Sequence, residues 1–452
     1  MIDFDKFIKY SKPGPRYTSY PTAVEFSEAF TLNDYKTKLE SLENDKLSLY
    51  VHLPFCKSVC YFCGCNVVYT SREDTKSRYL DYLKKELALL KENIDTSKGI
   101  TQLHFGGGTP TYFSAEQLNT VIKDIKDTFS NFEDDAELSC EVDPRYFDEA
   151  QAKILADNGF NRISFGVQDF DIRVQKAVNR VQSFELVSNV MKLARGNGIN
   201  SINVDLIYGL PLQSVESFAN TIDLILELDP ERIAVFNYAH VPWIRKTMNK
   251  INEDDLPKTA VKLEILKYTI NHLSNNGYKM IGMDHFAKVD DELFKSLQNH
   301  SLHRNFQGYS TKSGSNLIGI GLSSIGNGDD YYAQNYKTIP EYENAIDSGK
   351  LPLHRGVSLS VDDVIRKEVI MKLMSNFHLD IISFEAKFDI KFFDYFKDGI
   401  KQLRELEEEN LVEITPEFIN VKQTGVMLIR NIVMVFDAYY ANKTKNTFSK
   451  TI

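Results

Sequence analysis

From residue 46 onward, short apolar runs rich in β-branched and aromatic residues alternate with longer stretches in which apolar positions recur every three or four residues. This is the pattern of repeated βα units. Strands are predicted over 46–54 (KLSLYVHLP), 100–105 (ITQLHF), 136–142 (AELSCEV), 162–167 (RISFGV), 201–207 (SINVDLI) and 232–238 (RIAVFNY). Helical patterns follow them: Tyr79, Leu80, Tyr82, Leu83, Leu87, Leu89 and Leu90 crowd one broad face, and Phe218, Ile222, Ile225 and Leu226 recur before Asp229 and Pro230. Such faces need a sheet to cover. The units are too few to close an eight-fold barrel, so the expected fold is α/β, an open partial (β/α)6 barrel over residues 46–245.

Around that core the pattern changes. Residues 1–45 form an N-terminal arm whose Pro13, Pro15 and Pro21 forbid regular structure. Residues 246–359 read as a barrel extension, with a helix over 258–275 and a glycine-rich segment over 314–328. Residues 360–452 read as a mostly helical C-terminal domain: helices over 364–374 and 393–406, a short β-like stretch over 411–421, and a further helix from about Gly425, a small winged-helix-like arrangement. Glu405, Glu407, Glu408 and Glu409 would repel phosphate there, which argues against DNA contact.

Composition narrows the partners. The chain has 452 residues, 42% of them hydrophobic and 26% charged, which suits a globular protein and excludes a disordered or fibrous one. The net charge of −10 does not suit nucleic-acid binding. No apolar run approaches the roughly 18 to 20 residues that span a bilayer, and the first residues lack a secretory signal, so a cytoplasmic protein without a membrane partner, and a monomer, is expected.

Five cysteines are present, and Cys56, Cys60, Cys63 and Cys65 fall within one short window directly after the first predicted strand. Disulfides fit poorly in a cytosolic chain, and zinc usually takes two ligand pairs separated by a longer linker. An iron–sulfur cluster fits better, because Cys-x3-Cys-x2-Cys can hold three irons of a cubane and leave the fourth open to a small molecule. Other strand ends carry unusual residues too: Gly106-Gly107-Gly108-Thr109-Pro110, Glu141-Val142-Asp143-Pro144, Gln168-Asp169 and Tyr208-Gly209-Leu210-Pro211. In parallel α/β barrels that rim is where chemistry is located.

The loop from Cys56 to Cys63 (CKSVCYFC), followed by the glycine triplet after the second strand, resembles the cluster loop of radical S-adenosylmethionine enzymes. Further blocks resemble one family among them, the oxygen-independent coproporphyrinogen III oxidases (dehydrogenases). They are 16–22 (RYTSYPT), 50–56 (YVHLPFC), 63–66 (CGCN), 166–169 (GVQD), 203–211 (NVDLIYGLP), 236–240 (FNYAH), 282–286 (GMDHF), 302–309 (LHRNFQGY) and 428–432 (LIRNI), so the likeness runs through essentially the whole chain.

That resemblance implies a [4Fe–4S] cluster on Cys56, Cys60 and Cys63 and two molecules of S-adenosylmethionine. The implied reaction is oxidative decarboxylation of two propionates of coproporphyrinogen III to vinyl groups, giving protoporphyrinogen IX in heme biosynthesis. A 5′-deoxyadenosyl radical made at the cluster would take hydrogen from the propionate β-carbon; a one-electron donor and a terminal electron acceptor are implied partners. For the first cofactor molecule the resemblance points to Tyr50, Gly107, Glu141 and Ile325, and for the second to Phe62, Gly108, Thr109, Gln168, Arg180, Asp205 and Ala239. Taken singly these have plainer readings, as helix caps, ion pairs or core.

Tyr50 and His52 share one strand face, and His52 is a candidate for substrate or proton handling. Cys65 lies outside the three-ligand spacing and stays open between a small packed residue and a role near substrate; Cys140 reads as strand core. Because coproporphyrinogen carries four carboxylates, the mouth must be locally basic in an acidic chain, and Arg16, His303 and Arg304 are candidates. Tyr17 and Tyr20 would help the arm close over the site or pin it to the barrel. The rival readings are a heme-carrying relative and a zinc-binding regulator.

Overall fold

The computed structural model describes residues 2–10, 12–312 and 314–440. They divide into two compact units, one of residues 26–276 and 314–358, the other of 1–25, 277–313 and 359–452. Both are discontinuous in sequence, and the segment 246–359 is shared between them.

The first unit holds the βα repeats. Strands β1 (Lys46–Leu53), β2 (Gly99–Gly107), β3 (Phe132–Val142), β4 (Arg162–Gln168), β5 (Ser201–Tyr208) and β6 (Arg232–Asn237) lie side by side in chain order. Every neighbouring pair is parallel. Helices α1 (Glu73–Lys91), α2 (Ala115–Thr128), α3 (Glu149–Asp157), α4 (Phe184–Gly196) and α5 (Val215–Leu228) make the crossovers. Their starts are written locally: Ser114 with Gln117, Asp148 with Gln151 and Ser214 with Ser217 form capping boxes, each worth about 1 kcal/mol.

The strands have two unlike faces. On β4 and β5, Ile163, Phe165, Val167, Ile202, Val204 and Leu206 are buried, while the alternating Ser164, Gly166, Gln168, Asn203 and Asp205 are only partly so. Period two therefore puts aliphatic groups on one face and a polar set on the other, which leaves polar side chains available for chemistry.

Beyond β1 the sheet continues through Asn316–Ile320, parallel to β1, and then Ile325–Asn327, Tyr331–Asn335 and Leu353–Ser358, which are antiparallel. This is the glycine-rich segment, and the glycines have a packing cause. A Cβ on Gly319 would lie 2.8 Å from the Ile325 carbonyl carbon, and one on Gly326 would lie 2.8 Å from the Leu317 oxygen. Buried Glu86 of α1 ties this part in, accepting from the Gly321 amide (2.8 Å), Asn335 (2.8 Å) and the Tyr342 hydroxyl (2.5 Å); burial pushes its carboxyl up to about 7.

The second unit contains two hairpins, Tyr278–Gly282 with His285–Lys288 and His303–Asn305 with Gly308–Ser310. Helices Val361–Asn376, Ile381–Phe388 and Lys397–Glu408 join a small sheet of His378–Asp380, Phe418–Val421 and Val412–Ile414. Phe384, Phe392, Phe396 and Phe436 form its aromatic centre.

The proline arm is gripped inside this unit. Its prolines supply no N–H but keep their carbonyls, and Arg430 donates to the Gly14 and Pro15 oxygens. Tyr17, 1% exposed, donates to Asp437 (2.8 Å), and the Tyr20 hydroxyl accepts from the Ala438 amide (3.0 Å). The two tyrosines thus fasten the arm to the C-terminal segment.

Candidate active site at the strand ends

The cysteine loop leaves β1 and is closed at its base, because Phe55–Cys56 pairs in parallel with Val68–Tyr69. Its crown is held by four further bonds: the Tyr61 amide to the Val178 oxygen (3.0 Å), Asn179 to the Val59 oxygen (2.7 Å), Asn66 to the Lys337 oxygen (3.1 Å), and Arg245 to the Gly64 oxygen. All four loop thiols are free; Cys60 is buried, Cys56 and Cys63 half-buried, Cys65 exposed. Cys140 is buried in β3, as its strand position predicts.

Cys60 sits in a positive environment built by the ends of β3 and β4. Asp143 is bridged by Arg145 (2.7 Å) and Arg180 (3.1 Å). In each arginine the nitrogen that reaches Asp143 Oδ2 also faces Cys60 Sγ, Arg145 Nη2 at 3.8 Å and Arg180 Nη1 at 3.6 Å, and Arg180 Nη2 donates to the Gly166 oxygen at 2.6 Å. The Cys65 thiol hydrogen-bonds Cys63 and holds it down to about 7, while the same bond pushes Cys65 well above the ordinary thiol range. No finished group of three His, Cys, Asp or Glu ligands stands among the described residues. Three free thiols in a loop closed at its base, one of them under two guanidinium groups, nonetheless fit the chemistry of a thiolate-held iron–sulfur cluster.

Beside the loop, the Tyr50 hydroxyl lies 3.0 Å from His52 Nδ1, and His52 Nε2 lies 2.9 Å from the Asn66 oxygen. A carbonyl only accepts, so Nε2 carries the proton and Nδ1 accepts from Tyr50. Burial lowers the His52 pKa and keeps the ring neutral, consistent with that tautomer. Tyr50 stacks on His104 at 5.9 Å, and His104 contacts Ser139 (2.7 Å) and Glu141 (3.4 Å). Burial would raise Glu141, but His104 and the Gly107 amide (3.1 Å) outweigh it and keep it ionised.

The glycine triplet is dictated by the same contacts. Gly107 has φ +112°, and a Cβ there would meet His52 Cε1 at 2.5 Å; a Cβ on Gly108 would meet the Pro54 carbonyl at 2.6 Å. Thr109 follows with its hydroxyl 3.4 Å from Cys56 Sγ.

The other residues singled out in the sequence have the following surroundings. Phe62 packs on the apolar group of Val178, Leu210, Tyr238 and Met248, immediately before Ala239. Asp205 accepts from Ser164 (2.9 Å) and Asn203 (2.8 Å) on the polar face. Gln168, with φ +71°, ends β4 where Arg180 returns. Ile325 backs Gly319, the register partner of Tyr50. Sequence reading passed over His104, Arg145 and Arg245. His104 was findable, being two residues before Gly106 and opposite Tyr50 in the β1–β2 ladder; Arg145 and Arg245 meet the loop from 85 and 181 residues away.

Residues 50–225 match the Radical SAM superfamily and residues 359–428 match the HemN C-terminal domain. The chain is 55% identical over its whole length to the oxygen-independent coproporphyrinogen III oxidase of Helicobacter pylori strain J99, covering 99% of that protein. It is 44% identical, over its whole length and 99% of the relative, to the one from Escherichia coli K12. The chain belongs to the oxygen-independent coproporphyrinogen III oxidase family. A solved structure described as coproporphyrinogen III oxidase (HemN) from Escherichia coli, a radical SAM enzyme, superposes with a TM-score of 0.93, covering 97% of this chain and 99% of that one. Membership of the radical SAM superfamily implies that this coproporphyrinogen III oxidase family member works by a mechanism dependent on a [4Fe–4S] cluster and S-adenosylmethionine. Among the described residues no helix is long and apolar enough to cross a membrane.

Proposed function

We propose that the strand-end site performs the family reaction on coproporphyrinogen III, converting two propionate side chains to vinyl groups without oxygen and yielding protoporphyrinogen IX for heme biosynthesis. Each propionate loses a β-hydrogen, CO2 and one electron, so an external one-electron donor and a terminal acceptor complete the balance. The observation that carries this is the free-thiol loop with Cys60 beneath Arg145 and Arg180, in a chain that matches its relatives end to end.

Cys56, Cys60 and Cys63 would hold the cluster, with Cys65 acting on Cys63 rather than as a fourth ligand. When bound, the cluster and S-adenosylmethionine supply hydrogen abstraction from an unactivated carbon, chemistry no side chain provides. Two molecules of the cofactor are assigned. The first falls to Tyr50, Gly107, Glu141 and Ile325, where an ionised carboxylate and a glycine edge suit an ammonium group. The second falls to Phe62, Gly108, Thr109, Gln168, Arg180, Asp205 and Ala239, where an aromatic and a carboxylate suit a nucleoside. The η nitrogens of Arg180 already serve Gly166, Asp143 and Cys60, so Arg180 chiefly holds the Cys60 side of the loop. With both ring nitrogens engaged, Nδ1 by Tyr50 and the protonated Nε2 by Asn66, His52 orients Tyr50 and relays no proton.

Anaerobic reconstituted enzyme given S-adenosylmethionine, a one-electron reductant and coproporphyrinogen III is expected to form protoporphyrinogen IX with two CO2 per substrate. Heme binding without turnover would overturn this reading.

A further inference from the structure

The second unit carries a group of charges that the cluster site does not use. Arg430 is 6% exposed, and its donors are engaged by the Gly14 and Pro15 carbonyls. Arg304, 9% exposed, lies over the Tyr309 ring at 4.9 Å, and its Nε and Nη1 are buried with no hydrogen-bond partner among the described residues. Gly282 leaves room for that ring, since a Cβ there would collide with the Tyr309 hydroxyl. Arg16 on the arm is exposed and joins Arg304 in acting on both Asp284 and Arg430. Asp284 is the carboxylate facing them, hydrogen-bonded by His285 at 3.0 Å.

Three guanidinium groups against one carboxylate leave an excess of positive charge in a chain whose net charge is −10. Burial, with Arg16 and Arg304 adding repulsion, brings Arg430 down to about 9, so the excess is felt. Burying donors without acceptors is unfavourable by about 1–3 kcal/mol per group, more for charged ones, and a structure retains such groups where a ligand completes them. His303 adds nothing to the charge, because burial, with help from Lys372, lowers it to about 4.

We infer that Arg304, assisted by Arg16, is a carboxylate anchor that recognises the substrate by a propionate. This rests on the proposed reading of the function, whose substrate carries four such groups. A guanidinium over the Tyr309 ring with Nε and Nη1 buried and unpartnered among the described residues can give a carboxylate charge-assisted hydrogen bonds. Arg430 holds the arm that brings Arg16 in, so it positions the anchor without being the anchor.

The test is equilibrium binding of coproporphyrin III, the non-reacting tetracarboxylate, to anaerobic holoenzyme, with its tetramethyl ester as the uncharged comparator. Wild type is expected to prefer the acid. Arg304→Gln should weaken acid binding by about tenfold or more while ester binding and iron content stay as they are. Arg304→Lys should recover only part, since an ammonium keeps the charge without the planar set of donors, and Arg16→Gln should show a smaller loss. Acid binding by Arg304→Gln equal to wild type, with the preference intact, would overturn the anchor and leave the function standing. A wild-type enzyme that neither prefers the acid nor turns over coproporphyrinogen III would instead bring down the functional reading itself.

Discussion

Two arginine and aspartate groups, one in each unit, are made of the same parts and end differently. In the first unit, Arg145 and Arg180 share Asp143, and the same nitrogens that bridge it face Cys60. Both guanidinium groups find their partners, Asp143 and Cys60, within this chain, which completes the group by itself. In the other unit, Arg304, Arg430 and Arg16 act through their charges on or with Asp284, and two nitrogens of Arg304 have no acceptor among the described residues. The first group closes around a thiol that belongs to the protein. The second has the form of a site whose anion comes from outside.

Breaking the closed group should have the largest effect. Cys60→Ala removes a ligand and leaves two guanidinium groups facing a void, so turnover should fall at least a thousandfold, by about 4 kcal/mol or more in transition-state terms. Cys65→Ala should keep its iron, measured by metal analysis. Arg180→Ala leaves Asp143 with one partner and should destabilise the apoprotein by about 3 kcal/mol in denaturant unfolding, with Arg180→Lys milder.

Smaller effects sharpen the rest of the contrast. His52→Phe frees Tyr50 and should lower kcat ten- to a hundredfold by loss of positioning, at unchanged iron content. His52→Gln, whose amide can still donate to Asn66 and accept from Tyr50, should recover much of it. In the open group, the His285 hydrogen bond and the charges of Arg304 and Arg16 outweigh burial and hold Asp284 down at about 2. A folded-state pKa below the unfolded one gives stability that is present above about pH 4 and lost as pH falls through 2, about 2 kcal/mol in all. Asp284→Asn should flatten that part of the acid-unfolding curve.

Much of this is legible along the chain because it depends on near neighbours. The strands of the barrel announce themselves by buried β-branched runs, and their observed ends differ from the expected ones by a few residues. The cysteine spacing and the pairing of Tyr50 with His52 are likewise short-range patterns. The extension beyond β1 is not legible, since Gly319 and Gly326 look like loop residues until the strand that packs against them is known. The arm carries a similar lesson: its prolines speak against regular structure, yet the carbonyls they keep are what Arg430 holds. Arg145 reaches Cys60 across 85 residues, a distance over which no local pattern operates.

The central claim is that the loop from Cys56 to Cys63 holds an iron–sulfur cluster that the strand-end arginines prepare. Iron, acid-labile sulfide and zinc measured together on anaerobically purified protein test it most directly. The account predicts iron and sulfide in equal amounts in wild type and their loss in Cys60→Ala; zinc without sulfide, or iron unchanged in that variant, would contradict it.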